Sequence, residues 1–174
     1  RFLRCLSLSA ILELTIAAAM LKSEKFDLVV QKCVELGVRR LVPLSTNRTD
    51  VKPKAALPRI DRWRKIAIEA SKQCGRSVVM EICDPLSFGQ FCGSEEKGTK
   101  ILFSERGGNG FDDLEGDDQM TAVVGPEGGW DDVEIELARS RGFKIVTLGG
   151  RILRAETASI ALATILQHRF GDLN

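Results

Sequence analysis

The chain has 174 residues, enough for one compact α/β domain, and its 25 basic and 24 acidic side chains nearly balance. A uniformly polycationic nucleic-acid binder is therefore excluded, and any surface that binds nucleic acid must be local. The five cysteines form no CxxC pair and no cluster with histidine, which argues against a disulfide frame or a metal site and predicts reduced thiols in the cytoplasm. The apolar run at residues 10–21 is too short to span a bilayer, so no membrane association is predicted.

Apolar strands that alternate with amphipathic helices predict a parallel sheet with helices on both faces. The predicted strands lie at residues 12–17, 38–44, 78–83, 99–104, 120–124 and 143–148. The predicted helices run from an N-cap at Ser23 to Leu36, from Pro58 to Cys74, from Asp131 to about Arg141, and from Ala155 to Phe170. A polar, basic loop is predicted from Thr46 to Pro58.

Three details of these helices are specific enough to test. Asp131 and Glu134 have the spacing of a capping box. The helix that begins at Pro58 is predicted to turn Cys74 inward, together with five other residues at helical spacing. The last helix is apolar on most of its faces, which predicts that it is buried.

Two glycine-rich turns, at residues 125–129 and 148–151, each follow a predicted strand. Ligands of open parallel sheets bind beyond the carboxyl ends of the strands, and glycine lets the backbone approach a ligand closely. A single turn of this kind also serves as a plain strand-to-helix connection, but two in tandem favour one ligand held by two loops. Neither a Walker lysine nor a GxGxxG pattern is present, so a nucleoside held by backbone groups is favoured over a phosphate cradle.

The charged and polar residues around the second turn have two interpretations each. Arg151 and Arg154 either pair with Glu127 or Glu156 and hold the loops together, or one of them faces a phosphate or a developing anion. Glu156 either complements the helix dipole or touches the ligand, and Thr157 is either a cap or a ligand contact.

A basic segment at residues 52–76 carries eight basic and two acidic residues, a charge surplus that is able to contact several phosphates. The alternative is an ordinary solvated helix face. Arg48 and Arg76 lie on polar turns at the ends of elements, where specific contacts are common. No arrangement of Ser, His and Asp or of Cys and His can be assembled, which argues against hydrolysis by a nucleophile.

These motifs have a family resemblance. The sequence at residues 125–129 with Glu134, and the sequence at residues 148–158, resemble the SPOUT class of knotted methyltransferases and, within it, the ribosomal RNA small subunit methyltransferase E family. The resemblance extends over residues 20–170, and it includes Lys22, the helix end at residues 31–37, and a middle block of Arg48, Arg62-Trp63, Glu69-Ala70, Gln73 and Arg76. Trp130 and Asp131 depart from the family, which usually has Phe and Ser at these positions.

The resemblance implies a fold and an activity. The implied fold is an α/β domain at residues 12–174 with a C-terminal trefoil knot, although general rules of chain topology argue against knots. The implied activity transfers a methyl group from S-adenosyl-L-methionine to N3 of a uridine in 16S ribosomal RNA, on the small ribosomal subunit, by a homodimer. Family members also carry an N-terminal PUA-like domain, so residues 1–11 are expected to be a linker remnant of that absent domain.

The resemblance also assigns roles to individual residues. The expected cofactor-binding residues are Gly125, Pro126, Glu127, Gly128, Gly129, Leu148, Gly149, Ile152, Leu153, Thr157 and Ala158. Arg154 is the candidate for stabilising the uracil anion, Glu156 is a second catalytic candidate, and no general base is identified. The expected RNA-binding residues are Arg48, Arg62, Gln73 and Arg76.

Two other functions remain open at this stage. A 2′-O-ribose RNA methyltransferase of the same superfamily would share the cofactor loops. A non-catalytic RNA-binding adaptor would keep the basic segment but would not need both glycine turns.

Overall fold

A computed structural model of the chain describes residues 12–22 and 24–173, so the N-cap predicted at Ser23 and the linker predicted at residues 1–11 lie outside the described residues. The described strands are β1 (Glu13–Ala19), β2 (Arg40–Ser45), β3 (Glu81–Ile82), β4 (Leu86–Ser87), β5 (Thr99–Phe103), β6 (Gln119–Val124) and β7 (Lys144–Val146). They form one sheet in the order β3-β2-β1-β6-β5-β7, with β4 also paired to β2. Every pairing is parallel, as predicted.

The described helices cover both faces of this sheet. They are α1 (Lys25–Glu35), α2 (Pro53–Ala56), α3 (Ile60–Cys74), α4 (Phe88–Gly93), α5 (Asp132–Ser140) and α6 (Ala155–Phe170). Helices α1, α3 and α6 pack together on one face, whereas α4 and α5 pack on the other. None of the helices in the described residues is long and apolar enough to cross a membrane.

Alternating side chains of the central strands supply two separate cores. In β1, Leu14, Ile16 and Ala18 face α1, α3 and α6, whereas Ala17 faces the core on the other side. Because both faces are covered, the central strands are apolar almost throughout, as expected of a parallel sheet. Phe26 and Trp63 join α1 to α3, with ring centroids 4.6 Å apart.

The element boundaries follow the sequence signals where those signals are local. Helix α6 has the predicted bounds, and α3 ends at Gly75 in a left-handed conformation. The prediction that α6 is buried holds for one side only, since residues such as Thr157, Thr164 and His168 are exposed.

Three predicted features are wrong. The strand predicted at residues 78–83 is reduced to Glu81–Ile82, and Val78 is 48% exposed. The strand is short because only the first two residues of β2 pair with β3, whereas the end of β2 pairs with β4. The loop predicted at residues 46–58 contains α2 and a 3-10 turn at Leu57–Arg59, each with proline near its first position, and α3 therefore begins at Ile60. Cys74 is exposed at the last residue of α3, beyond the packed part of the helix.

The four described cysteines are free thiols. Cys33 lies in the core between α1 and the sheet, and its burial raises the pKa of its thiol to about 12. At neutral pH this thiol is protonated and inert, since the thiolate is the reactive form.

Candidate active site

The two glycine turns meet at the carboxyl edge of the sheet. The first turn follows β6 and the second follows β7, and between these strands lies the carboxyl end of β5. Together they enclose one cavity, which is lined by Phe103, Glu105, Val124, Gly125, Pro126, Glu127, Gly128, Gly129, Trp130, Leu148, Arg151, Ile152, Leu153, Ala155 and Ala158. The tandem turns therefore face one site, as their spacing predicted.

The first glycine turn is closed by a hydrogen bond within its own backbone. Gly129 has φ +69°, in the left-handed region, and its N–H donates to the carbonyl of Pro126 at 2.9 Å. Gly125 is buried against the indole of Trp130, and a Cβ at Gly125 would lie 2.8 Å from its Cε2 atom. The path of the turn therefore requires that Gly125 lack a side chain.

Trp130 connects the first turn to the neighbouring strand. It is 1% exposed, it packs on Phe88 at 4.8 Å between ring centroids, and its Nε1–H donates to the carbonyl of Phe103 at 2.8 Å. A phenylalanine at this position would have no such donor. The indole of Trp130 therefore holds β5 and the first glycine turn together through this hydrogen bond.

Arg48 reaches across from the loop after β2 to the same turn. Its guanidinium pairs with Asp131 at 2.7 Å and donates to the carbonyl of Gly128 at 2.8 Å. The loop is fastened a second time by Asn47, whose backbone N–H donates to Glu134 at 2.8 Å. Glu134 also accepts from the N–H of Asp131 at 3.2 Å, as the predicted capping box requires.

We expect Arg48→Ala to lower the free energy of unfolding by about 1 kcal/mol, since it breaks a half-exposed ion pair and a hydrogen bond. Asp131→Ala is expected to lower it by about 1–2 kcal/mol, because the α5 cap is lost as well. Adding Arg48→Ala to Asp131→Ala is then expected to cost less than Arg48→Ala costs alone, because the two side chains form one network.

Urea unfolding of the two single variants and the double variant measures this coupling. Arg64→Ala is the matched control, because the ion pairs of Arg64 within the described ranges are long, at 3.6 Å to Asp61 and 3.7 Å to Asp84. Strict additivity of Arg48→Ala and Asp131→Ala would contradict the network.

Lysines after β1 supply a further ionic cluster at this edge. Lys25 pairs with Glu127 of the first turn at 2.7 Å, and this hydrogen bond raises the pKa of Lys25, with a smaller contribution from the charge of Glu156. Lys22 pairs with Asp50 at 2.7 Å, which raises the pKa of Lys22 and lowers that of Asp50. The carboxylate of Glu127 is thus engaged by a lysine rather than by Arg151 or Arg154.

The second turn leaves two cations unpaired. In the described part of the chain, the side chains of Arg151 and Arg154 have no hydrogen-bond or ion-pair partner, so the interpretation that they pair with Glu127 or Glu156 is wrong. Arg154 is exposed at the N-cap of α6, and Ile152 is 87% exposed at the rim of the cavity. Oε2 of Glu156 is buried without a partner among the described residues.

Nine of the eleven expected cofactor-binding residues line the cavity, and the exceptions are Gly149 and Thr157, which are exposed outside it. Six further lining residues were not assigned to the cofactor from the sequence: Phe103, Glu105, Val124, Trp130, Arg151 and Ala155. The rule that ligands bind at the carboxyl ends of strands would have found Phe103 and Glu105, since Phe103 ends β5, the strand next to β6, and Glu105 follows it by two residues.

The structure brings together only two of the four expected RNA-binding residues, since Arg62 and Gln73 line one groove between α1 and α3, whereas Arg48 lies at the first glycine turn. Arg76 lies at the amino edge of the sheet, where it donates to the carbonyls of Val34 and Val38 at the end of α1, and its burial lowers its pKa. Arg62 pairs with Asp27 at 2.6 Å, and Gln73 is exposed further along α3. RNA contact by these residues stays a prediction.

Comparison with known proteins identifies the class of this fold and cavity. The family model that describes an RNA methyltransferase domain matches residues 9–167. The chain is 39% identical, over 88% of its length, to ribosomal RNA small subunit methyltransferase E of Synechocystis. Among solved structures it is similar to a Legionella pneumophila putative methyltransferase with bound S-adenosylmethionine (34% identity over 93% of this chain, TM-score 0.89) and to the Neisseria gonorrhoeae ribosomal RNA small subunit methyltransferase E bound to S-adenosyl methionine (32% over 94%, TM-score 0.87).

The chain belongs to the ribosomal RNA small subunit methyltransferase E family of RNA methyltransferases. It spans 53% of the Synechocystis relative and 68% of each of the two solved chains.

Proposed function

We propose that the chain is an S-adenosylmethionine-dependent methyltransferase that acts on N3 of a uridine in 16S ribosomal RNA. The observation that carries this proposal is the cavity shared by the two glycine turns, with Arg151 in its lining and Arg154 near it, both with side chains that have no partner among the described residues. Its relatives are named for methylation of small-subunit ribosomal RNA, and two of similar fold hold the methyl donor.

Two observations support binding of the methyl donor in this cavity. The glycine turns leave backbone groups open to a ligand, and a Cβ at Gly125 or Gly129 would displace the side chains that shape the walls. The lining combines apolar side chains, such as Leu148 and Leu153, with a carboxylate that has no partner in the described residues, Glu105. An adenine needs the apolar surface, and ribose hydroxyls need acceptors.

When bound, S-adenosylmethionine would supply an electrophilic methyl group to N3 of the uracil, and S-adenosylhomocysteine would be the leaving group. The backbone of the first glycine turn and the side chains of Leu148 and Leu153 hold and orient the donor. Arg154 stabilises the negative charge that the uracil acquires when N3 loses its proton. The proton that leaves N3 passes to Glu156, the second catalytic candidate, which lies in the first turn of α6 two residues after Arg154.

We also propose that the chain has a C-terminal trefoil knot, forms a homodimer and acts in the cytoplasm. After β7, at the edge of the sheet, the chain returns to pack α6 against α1 and β1, which supports a C-terminal knot. Ile152, which is 87% exposed at the rim of the cavity, and Ile160, which is half-buried on α6, are apolar side chains near the site and support a homodimer. Reduced thiols support a cytoplasmic location.

The test is mass spectrometry of methylated nucleosides. The chain is incubated with S-adenosylmethionine carrying a deuterated methyl group and with small ribosomal subunits. The subunits come from a bacterial strain without its own ribosomal RNA small subunit methyltransferase E, so that the target uridine is unmethylated. We expect deuterated 3-methyluridine in digests of 16S RNA. Deuterated 2′-O-methylnucleosides instead would assign the chain to the ribose methyltransferases.

The Neisseria gonorrhoeae relative serves as the positive control for the substrate. Titration calorimetry of the chain with S-adenosylmethionine is the second measurement. No detectable heat of binding would favour a non-catalytic adaptor and would contradict the proposal.

A further inference from the structure

Glu105 lies in the cavity without a partner in the described part of the chain. It follows β5 by two residues and sits beside the first glycine turn, where a Cβ at Gly129 would lie 2.7 Å from its Oε1 atom. The other carboxylate of the cavity, Glu127, is paired with Lys25 at 2.7 Å. Of these two carboxylates, therefore, only Glu105 is free to accept hydrogen bonds from a ligand.

The residues on both sides of Glu105 are fixed. The hydroxyl of Ser104, which is 1% exposed, donates to the carbonyl of Arg106 at 2.7 Å and accepts from its N–H at 3.2 Å. The guanidinium of Arg106 pairs with Asp132 at 2.8 Å. These contacts hold the short turn, so the side chain of Glu105 projects from a rigid support into the cavity.

We propose that Glu105 binds the ribose of S-adenosylmethionine by accepting hydrogen bonds from its 2′- and 3′-hydroxyls. An ionised carboxylate only accepts, so its partner must be a donor, and the vicinal diol offers two donors to two oxygens. An acidic side chain beside a glycine turn in a parallel sheet serves nucleotide riboses in the same way in dinucleotide-binding folds. This inference rests on the proposed function.

Gly129 has a second role in this arrangement. Its left-handed φ already favours glycine, and the missing Cβ also leaves room for the carboxylate of Glu105 against the turn. The acceptor and the backbone of the turn therefore face the same part of the cavity.

Titration calorimetry with S-adenosylmethionine and with S-adenosylhomocysteine tests the assignment. We expect Glu105→Gln to weaken both ligands by about tenfold and Glu105→Ala by about 10–100-fold, as loss of hydrogen bonds to a charged group predicts. Thermal unfolding is expected to stay unchanged, since the exposed carboxylate has no partner in the described residues. The matched control is Glu115→Gln, which removes one negative charge from an exposed loop outside the cavity.

A ligand lacking the 2′-hydroxyl separates a hydrogen bond to ribose from attraction to the sulfonium. The 2′-deoxy analogue of S-adenosylhomocysteine is expected to bind wild type several-fold more weakly, and this loss is expected to disappear in Glu105→Ala. A loss of equal size in both proteins would overturn the assignment. Weakening of S-adenosylmethionine alone by Glu105→Gln would also overturn it, because the carboxylate would then act through charge.

Failure of this inference is distinguishable from failure of the proposed function. If wild type binds the donor and Glu105→Ala binds it equally well, only the role of Glu105 is wrong. If wild type binds neither ligand, the proposed function itself is wrong.

Discussion

Arg154→Ala is expected to slow methyl transfer to 16S ribosomal RNA about 10²–10³-fold, the usual cost of removing a group that stabilises charge in the transition state. Its affinity for S-adenosylmethionine is expected to stay within about threefold of wild type, because Arg154 is not among the residues that line the cavity. Single-turnover assays with subunits, beside calorimetry with the donor, measure the two effects separately.

The physical reason lies in the position of Arg154. It is the N-cap residue of α6, at the positive end of the helix dipole, and its positive charge is repelled by that of Lys25. A positive charge at the N-terminus of a helix is unfavourable unless a bound anion compensates it, and helix N-termini bind anions readily. The uracil that has lost its N3 proton is such an anion.

Arg154→Lys is the companion variant. A lysine keeps the charge without the planar fork, so we expect it to recover part of the rate. Arg139→Ala is the control for loss of a positive charge, because Arg139 lies on α5 and donates to the carbonyl of Gly107 outside the cavity. A wild-type rate for Arg154→Ala would remove Arg154 from the mechanism.

Gly125→Ala is expected to reduce the affinity for S-adenosylmethionine by at least about 30-fold and to lower the free energy of unfolding by about 1–3 kcal/mol, as overpacking of a buried site does. The added methyl group would lie 2.8 Å from Cε2 and Nε1 of Trp130. Trp130 would have to move, which breaks its hydrogen bond to the carbonyl of Phe103 and shifts the first turn.

Calorimetry and urea unfolding measure both parts of this prediction. Gly89→Ala is the matched control, since a Cβ at Gly89, within α4, meets no atom within 4 Å. Adding Trp130→Leu to Gly125→Ala makes room for the methyl group and is expected to recover part of the binding. Unchanged affinity in Gly125→Ala would show that the turn tolerates a side chain.

Local sequence signals predicted the elements that place the site. The capping interaction of Asp131 and Glu134, the end of α3 at Gly75 and the bounds of α6 all depend on residues within one or two turns. Predictions that depend on pairing with a distant strand were less accurate. The apolar residues from Val78 to Cys83 have the composition of a strand, but only β2 decides how many of them pair.

The roles of individual residues also separate into those that depend on neighbouring residues and those that depend on distant ones. Gly125, Gly128 and Gly129 of the first turn were interpretable from sequence because the backbone requirement is local. The pairing of Glu127 with Lys25, 102 residues apart, was not, and neither was that of Arg48 with Asp131. Electrostatic partners are chosen by distance in space, which residue spacing does not encode outside helices.

The sequence by itself thus determined the α/β class, the two glycine turns and the family, because periodicity and motifs are properties of neighbouring residues. Only the tertiary structure decided which side chains are available to a ligand. Folding brings the ends of β5, β6 and β7 to one edge, where Lys25 engages Glu127 and the chain leaves Glu105 and Arg154 without partners among the described residues. A charged group acts on a ligand only when the protein has not already satisfied it, and long-range packing determines which groups those are.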